Sequence, residues 1–431
     1  MSSSTTARTR PWEDKSFAHF ASRCPVRLQP WFAQPNEEID RMRLALNTGK
    51  ALAPTYPKLE DADFDVLLAK VNAYEPEDQP LEPLYRLAFQ HRRRLLGVAE
   101  AARVGNMDSF RRFNAALDLR ADVGMYRRTL ASLDARTKAH PSADAGKLIE
   151  RLSLDQAWKP SFPRPDLLYT LHGPVMDLLE SLGLPSMPAI SEVWGGERIA
   201  AALERTLVAG SLDGKFEMKV VVSDTARSAL VERSGRITIP KSYQLNGLDA
   251  YVLMARLRLS VERYYRGYLS NYYVLWNGTV DDLTAGLGIL AVVEQILRGQ
   301  IDRYAGEAGY LACALAEGLS GVSQSPYDIY ETMRAYYRFV DTEAPKGSPV
   351  HSTPDDRAWN MVWDVFQGTD FMSPKTYLGL RTREAQGAVN MWHALARDPR
   401  IFQYATLGRF DFSSTGEVGV LTAAGVIPAL R

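Results

Sequence analysis

Two arginines on one face of an apolar helix are the residues here whose type and spacing most directly suggest chemistry. They are Arg256 and Arg263, in the segment LMARLRLSVERYYRG. A helix turns about 100° per residue, so the two side chains lie within about 20° of each other and about 10 Å apart along the axis. A guanidinium group is a planar set of N–H donors that matches a carboxylate or a phosphate. The pair therefore predicts an anion site.

The surroundings of this face leave the source of the anion open. Asp249, Ser260 and Gly267 fall on the same line, with apolar residues on either side. Buried arginines are rare unless they are paired. Carboxylates from elsewhere in the fold could supply the partners, or a bound ligand could do so. A second pair, Arg258 and Glu262, has (i, i+4) spacing and is predicted to lie at the surface or at a rim.

Aromatic residues are concentrated around the two arginines. Tyr264 is a candidate catalytic residue together with Arg256 and Arg263, because tyrosine and arginine can move protons or stabilise charge without a metal. Candidate ligand-binding residues are Arg256, Ser260, Arg263, Tyr268 and Trp276. Core packing is the alternative role for the aromatic residues, and we expect it for at least half of them.

Motifs for other kinds of chemistry do not occur in the sequence. It contains no HExxH, no Cys/His cluster, no P-loop, no GxGxxG behind a strand and no GxSxG. The six histidines are scattered, and none has a second histidine within five residues. Helix-borne ligation of a metal by a histidine pair is therefore excluded. The sequence predicts neither a metal nor another cofactor.

The amino-acid composition limits the binding partners and the cellular compartment that we expect for this protein. The chain has 51 basic and 51 acidic residues, so no electrostatic feature favours nucleic acid or an anionic membrane. The basic run at 91–94 is predicted to be a solvated helix face. Two distant cysteines, Cys24 and Cys313, fit a reducing compartment. The N-terminal segment lacks a signal-peptide core and no apolar run is long enough to span a bilayer. We expect a cytoplasmic protein, and the oligomeric state stays open.

The sequence patterns around these residues predict a mostly helical α+β chain, whose helices and strands must position them. We expect an irregular leader over 1–35, an N-terminal helical region over 36–160 and a main domain over 161–431, with a proline-rich seam at 160–190. The segments KFEMKVVVSD and GRITIPK are β-branched and predict a hairpin or two neighbouring strands. Further helices are predicted from about Leu283 and over 382–397.

The order of these elements resembles the tyrosine-carboxypeptidase-like family, which includes the microtubule-associated tyrosine carboxypeptidases and the bacterial QEGLA-motif proteins. The segment FEMKVVVSDTARSALVERSGRITIP is similar to the two strands of that family, and AGLGILAVVE is similar to its Glu-Gly-Leu-Ala helix. ARLRLSVERYYRG resembles the helix that carries HExxxH, and Arg263 and Gly267 match its Arg and Gly. The resemblance covers roughly residues 40–431. It implies a zincin-like metallopeptidase fold with a small sheet.

The residues of the family's zinc site are replaced in this sequence. Anchored on Arg263, the two zinc histidines of the family fall on Ala255 and Ser260, the catalytic Glu on Arg256, and the third ligand on Ala285. Two methyl groups and a hydroxyl do not form a zinc site. Arg256 also brings a positive charge to the place of the metal. The resemblance thus implies a degenerate site in which Arg256 replaces the charge of the metal.

Three functions are compatible with this sequence. The leading one is a metal-free pseudoenzyme, not a peptidase, that binds a small anionic or peptide-like ligand in the ancestral cleft. The second is a repurposed, metal-independent enzyme with acid–base, isomerase or cyclase chemistry on a small metabolite in bacterial specialised metabolism. The third is a non-catalytic, partner-binding protein whose cleft is filled by side chains. A composition rich in Ala and Arg favours a bacterial origin.

We predict that protein purified without added metal contains no stoichiometric zinc. The reason is that Ala255, Arg256, Ser260 and Ala285 occupy the positions of the ligands and of the base. Elemental analysis measures the metal content. About one zinc per chain would contradict the prediction. We also expect no release of C-terminal residues from peptides, and metal-dependent release would contradict that second expectation.

Overall fold

The structure, a computed structural model, is mostly helical and contains two small sheets. The residues that it describes are 15–24, 28–32, 34–48, 54, 56, 59, 62–75, 81–117, 120–154, 165–210, 218–226, 228–232, 235–278, 282–299, 305–343 and 353–430. The prediction of a mostly helical α+β chain with a small sheet is confirmed.

Helices occupy most of the first 181 residues of the chain. They are α1 (Lys15–Arg23), α2 (Leu28–Phe32), α3 (Asn36–Asn47), α4 (Ala62–Ala73), α5 (Glu82–Arg103), α6 (Met107–Ala116), α7 (Val123–Ala139), α8 (Ala143–Leu152) and α9 (Pro165–Ser181). Polar side chains fix several of their starts. Asp122, for example, accepts a hydrogen bond from the backbone N–H of Met125 as the N-cap of α7.

The rest of the chain carries the strands and the longest helix. The strands are β1 (Val193–Gly195), β2 (Lys219–Ser223), β3 (Leu230–Val231), β4 (Arg236–Pro240) and β5 (Gln244–Asn246). The helices are α10 (Gly196–Gly210), α11 (Gly247–Leu269), α12 (Tyr273–Asn277), α13 (Asp282–Arg298), α14 (Glu307–Glu317), α15 (Pro326–Glu343), α16 (Pro354–Phe366), α17 (Thr382–Arg397) and α18 (Thr415–Ala423). Two short 3-10 helices, Gly379–Arg381 and Pro399–Tyr404, flank α17.

The predicted strands are neighbours, but they do not form a hairpin. β2 and β4 pair in parallel, with Val221 opposite Thr238. The sequence analysis missed β3, which lies on the other side of β4 and pairs with it antiparallel. β1 and β5 form a separate antiparallel pair that leads directly into α11. The short β3 is therefore the edge strand beside the start of the long helix.

The predicted irregular leader is wrong for the part of it that the structure describes. Residues 15–23 and 28–32 are helical, and Phe17, Phe20 and Cys24 are buried. The helical spacing of these apolar side chains decides the local structure, whereas the prediction followed the nearby prolines. Residues 1–14 lie outside the described residues. Cys24 and Cys313 are both buried free thiols.

The hydrophobic cores do not follow the predicted boundary at 160/161. One core combines α1, α5 and α9 with α11, α13 and α17. The other combines α3, α7 and α8 with α14, α15 and α16. The predicted proline-rich seam is largely helix α9, which contains Pro174. Each core thus draws on both sides of the boundary, and the two predicted regions are not separate hydrophobic units.

The basic run at 91–94 is only partly a solvated face. Arg93 is exposed, whereas His91 and Arg92 are each only 8% exposed. Burial and the neighbouring Arg383 lower the pKa of His91 to about 3. The helix α5 is therefore packed on more sides than its charge pattern indicated.

Helices α13 and α17 cross in close contact, and this contact positions two glutamates beside α11. A Cβ atom on Gly288 would lie 2.3 Å from the carbonyl oxygen of Gly387. The two backbones can approach this closely because neither residue carries a side chain. This contact brings Glu294 of α13 and Glu384 of α17 to the same side of α11, where both reach Arg256.

Candidate functional site

An open cleft lies between α11, α13 and the segment that contains β3. Its volume is about 620 Å³. Four of the predicted site residues line it, namely Arg256, Ser260, Arg263 and Tyr264. The apolar part of the lining includes Leu230, Val231, Leu245, Val252, Leu253, Leu257, Leu287 and Leu290. The face of α11 that carries the arginines therefore borders a cavity and is not sealed by apolar neighbours.

Three other predicted positions, Tyr268, Trp276 and Ala255, do not belong to this lining. Tyr268 and Trp276 pack edge to face, with ring centroids 6.4 Å apart. Ala255 is fully buried, with 0% exposure. Ala285 belongs to α13, but its side chain lies outside the described residues. The structure thus brings four of the candidate residues together at the cleft and places Tyr268, Trp276 and Ala255 elsewhere.

Arg256 pairs with carboxylates of the protein. Its Nη1 donates to Glu294 Oε2 at 2.6 Å, and its Nη2 donates to Glu384 Oε1 at 3.1 Å. The side chain is 30% exposed and borders the cleft. Burial alone would lower the pKa of Arg256, but the two carboxylates outweigh it and raise this pKa. Of the two sources of an anion that the sequence left open, the fold itself supplies partners for Arg256.

These contacts extend into a longer row of alternating charges. Arg298 donates from Nε to Glu294 Oε1 at 2.9 Å and from Nη1 to Asp249 Oδ1 at 2.6 Å. Asp249 also accepts from Asn246 Nδ2 at 2.7 Å. We call this row, Asp249–Arg298–Glu294–Arg256–Glu384, the charge chain. It joins the first turn of α11 to α13, returns to the middle of α11 and ends on α17.

Glu294 is the central acid of the charge chain. Each of its two carboxylate oxygens accepts a hydrogen bond from a different arginine, Arg256 or Arg298. Burial would raise the pKa of Glu294, but the two guanidinium groups together hold this pKa below its usual range. A charged glutamate between two cations is therefore the stable state of this position.

Arg263 has a different environment from Arg256. It is 3% exposed, and it donates from Nε to the carbonyl of Gly408 at 2.9 Å and from Nη2 to that of Phe410 at 3.2 Å. Its guanidinium also lies 5.9 Å from the ring centroid of Phe412. Arg263 thus fixes the 408–412 segment against α11. The two arginines line one cleft but hold separate partners.

The segment that Arg263 fixes carries another arginine to the cleft. Arg409 lines the cavity, and its guanidinium lies 4.4 Å from the centre of the Tyr264 ring. Its Nη1 donates to the carbonyl of Asn277 at 3.0 Å. Sequence reasoning missed this residue, because nothing near position 409 indicates that the chain returns to α11.

Two further features of α11 were predicted and are now placed. Ser260 donates from its hydroxyl to the carbonyl of Arg256 at 2.8 Å. Arg258 and Glu262 do form a pair, at 2.9 Å, but their side chains are only 1% and 5% exposed. The prediction of a surface or rim pair is therefore wrong. Arg258 also donates to the carbonyl of Leu182, which follows α9, so this side of α11 is covered as well.

Metal ligation receives no support from the described part of the chain. Among those residues no group of three His, Cys, Asp or Glu is placed to hold a metal ion. The three acids of the charge chain are each paired with a guanidinium group.

In the part of the chain that the structure describes, no helix is both long and apolar enough to cross a membrane.

Comparison of the chain with known protein families, with curated proteins and with solved structures finds no match.

We predict that Arg263→Met lowers the free energy of unfolding by about 3 kcal/mol, because it strands two buried carbonyls. Arg205→Met is the matched control, since exposed Arg205 also donates to a backbone carbonyl, that of Ala201. The control should change stability by less than about 0.5 kcal/mol. Chemical denaturation measures both variants. Equal losses would show that Arg263 does not hold the 408–412 segment.

Proposed function

We propose that this protein binds a small anionic or peptide-like ligand in the cleft beside Arg256, without a metal, and that it is not a peptidase. Its fold, in this proposal, is zincin-like and related to the tyrosine-carboxypeptidase-like family, with a degenerate metal site. The observation that carries it is the open cavity of about 620 Å³ between α11, α13 and β3. Ligand pockets typically have volumes of about 300–1,000 Å³.

The charges around the cavity favour an anion. Among the described residues of the lining, four are arginines and two are acids, Asp249 and Glu294. Glu384, which reaches Arg256 from outside the lining, is a third acid, so cations still exceed acids. An excess of one sign in a concave, partly apolar site raises the local concentration of ligands of the opposite sign. The apolar wall around Leu253 and Leu287 suits an apolar group attached to that anion. These features favour a carboxylate with an aliphatic or aromatic body.

The edge of the sheet favours a ligand with a peptide backbone. Leu230 lies opposite Thr238, and the backbone N–H of Glu232 donates to the carbonyl of Arg236 at 2.8 Å. Backbone groups alternate in direction along an antiparallel strand, so those of Val231 point away from β4. Val231 lines the cleft. An extended peptide could pair with the strand there, as in other cases of strand addition.

A metal-independent enzyme remains a second candidate because of Tyr264. Its ring lies at the cavity wall beneath the guanidinium of Arg409. A phenol next to a fixed cation is a reasonable proton donor to a bound substrate. The interpretation in which side chains fill the cleft fits less well, since the cavity is open among the described residues.

We predict that N-acetyl-leucyl-phenylalanine binds the protein about tenfold more tightly than its C-terminal amide, because a charge-assisted hydrogen bond adds about 1.4 kcal/mol. Isothermal titration calorimetry measures both affinities. Leu287→Trp should weaken binding of both probes, because the larger ring occupies part of the cavity. Leu87→Trp, at an exposed position of α5, is the control and should bind like the parent.

Two outcomes would contradict the proposed function. One is that neither probe binds the parent protein. The other is that both probes bind Leu287→Trp as well as they bind the parent, which would place their site outside the cleft.

A further inference from the structure

The two carboxylates that hold Arg256 are not equivalent. We propose that Glu384 is a competing counter-ion: it occupies Arg256 when the cleft is empty, and the carboxylate of a bound ligand takes its place. This inference rests on the proposed function and concerns how the same site selects its ligand. It assigns to Glu384, which does not line the cavity, control over the affinity for anions.

The contacts of Glu294 make it a poor candidate for displacement. Both of its oxygens accept hydrogen bonds, one from Arg256 at 2.6 Å and one from Arg298 at 2.9 Å. Releasing it would break contacts with two cations and leave a mostly buried carboxylate, 21% exposed, without them. Glu294 therefore stays in place when a ligand enters.

The contacts of Glu384 make its release easier. A single oxygen of Glu384 accepts a hydrogen bond from Arg256, at 3.1 Å, which is longer than the 2.6 Å contact of Glu294. Glu384 also lies in the first turn of α17, where the partial positive charge of the helix N-terminus favours a carboxylate. A glutamate that leaves Arg256 can thus remain near a favourable potential and gain water. Arg256 itself faces the cleft, so a ligand can reach the guanidinium from the other side.

The charge balance favours exchange over simple addition. The charge chain contains two arginines and three acids, Asp249, Glu294 and Glu384. A ligand carboxylate that joined them would place four acids around two cations. Like charges at this distance repel, and in a partly buried site the repulsion is only weakly screened. Movement of Glu384 towards water restores the original balance.

If Glu384 competes with the ligand for Arg256, removal of its charge should strengthen ligand binding. An ordinary structural ion pair does not predict such a gain. Glu384→Gln should increase the affinity for N-acetyl-leucyl-phenylalanine by about three- to tenfold, because the competitor is lost, which is the scale of a partly exposed ion pair. The affinity for the C-terminal amide should not change. Glu100→Gln is the control: it removes the carboxylate that pairs with Arg103 on α5, neither residue lines the cleft, and both affinities should stay unchanged.

Measurements in the Arg256→Met background distinguish exchange at Arg256 from a long-range change in the electrostatic potential of the cleft. In that background, Glu384→Gln should give no gain in affinity for the acid probe, because the guanidinium for which the ligand and Glu384 compete is absent. Thermal unfolding of each variant, measured first, confirms that titrations are made on folded protein. A gain that persists in the Arg256→Met background would overturn the exchange, because the effect would then be long-range.

The remaining outcomes distinguish this inference from the proposed function. If the acid probe binds the parent but Glu384→Gln leaves its affinity unchanged or weaker, exchange is wrong and the proposed function stands. If the acid probe binds neither the parent nor Glu384→Gln, the proposed function itself fails, and the exchange fails with it.

Discussion

The structure around the cleft depends on the ion pairs that Glu294 makes with Arg256 and Arg298. The pair with Arg256 connects α11 to α13, and the pair with Arg298 lies within α13. Arg298 in turn reaches Asp249 at the start of α11, and Arg256 reaches Glu384 of α17. Each charged group in this partly buried row would be costly without its neighbours, because desolvation disfavours an isolated ion. The row therefore constrains the relative positions of three helices. It also explains how the apolar helix α11 accommodates Arg256.

The same row of ion pairs lies along one wall of the cavity. The cleft runs along the face of α11 that carries the charge chain, and α13 closes it on one side. Arg263 contributes differently, since it holds the 408–412 segment through backbone carbonyls and so brings Arg409 to Tyr264. One arginine thus sets the spacing of helices, and the other sets the position of a loop.

The sequence predicted the parts of this arrangement that are local. The helical phase placed Arg256, Ser260 and Arg263 on one face, and the β-branched segments predicted neighbouring strands, as the structure has them. Partners that are distant in sequence could not be read in this way. Glu384 lies 128 positions from Arg256, and Gly408 lies 145 positions from Arg263. The (i, i+4) spacing of Glu294 and Arg298 was a signal that could have been used, because both fall on one face of α13.

A double-mutant cycle between Arg256 and Glu294 tests the central claim most directly. The free energy of unfolding would be measured for the parent, Arg256→Met, Glu294→Gln and the double variant. A structural ion pair predicts a coupling energy of about 1–3 kcal/mol, well above that of the exposed pair Arg86 and Glu82 measured in the same way. Effects that add to within about 0.5 kcal/mol would contradict it. The charge chain would then not be what holds α11 and α13 together.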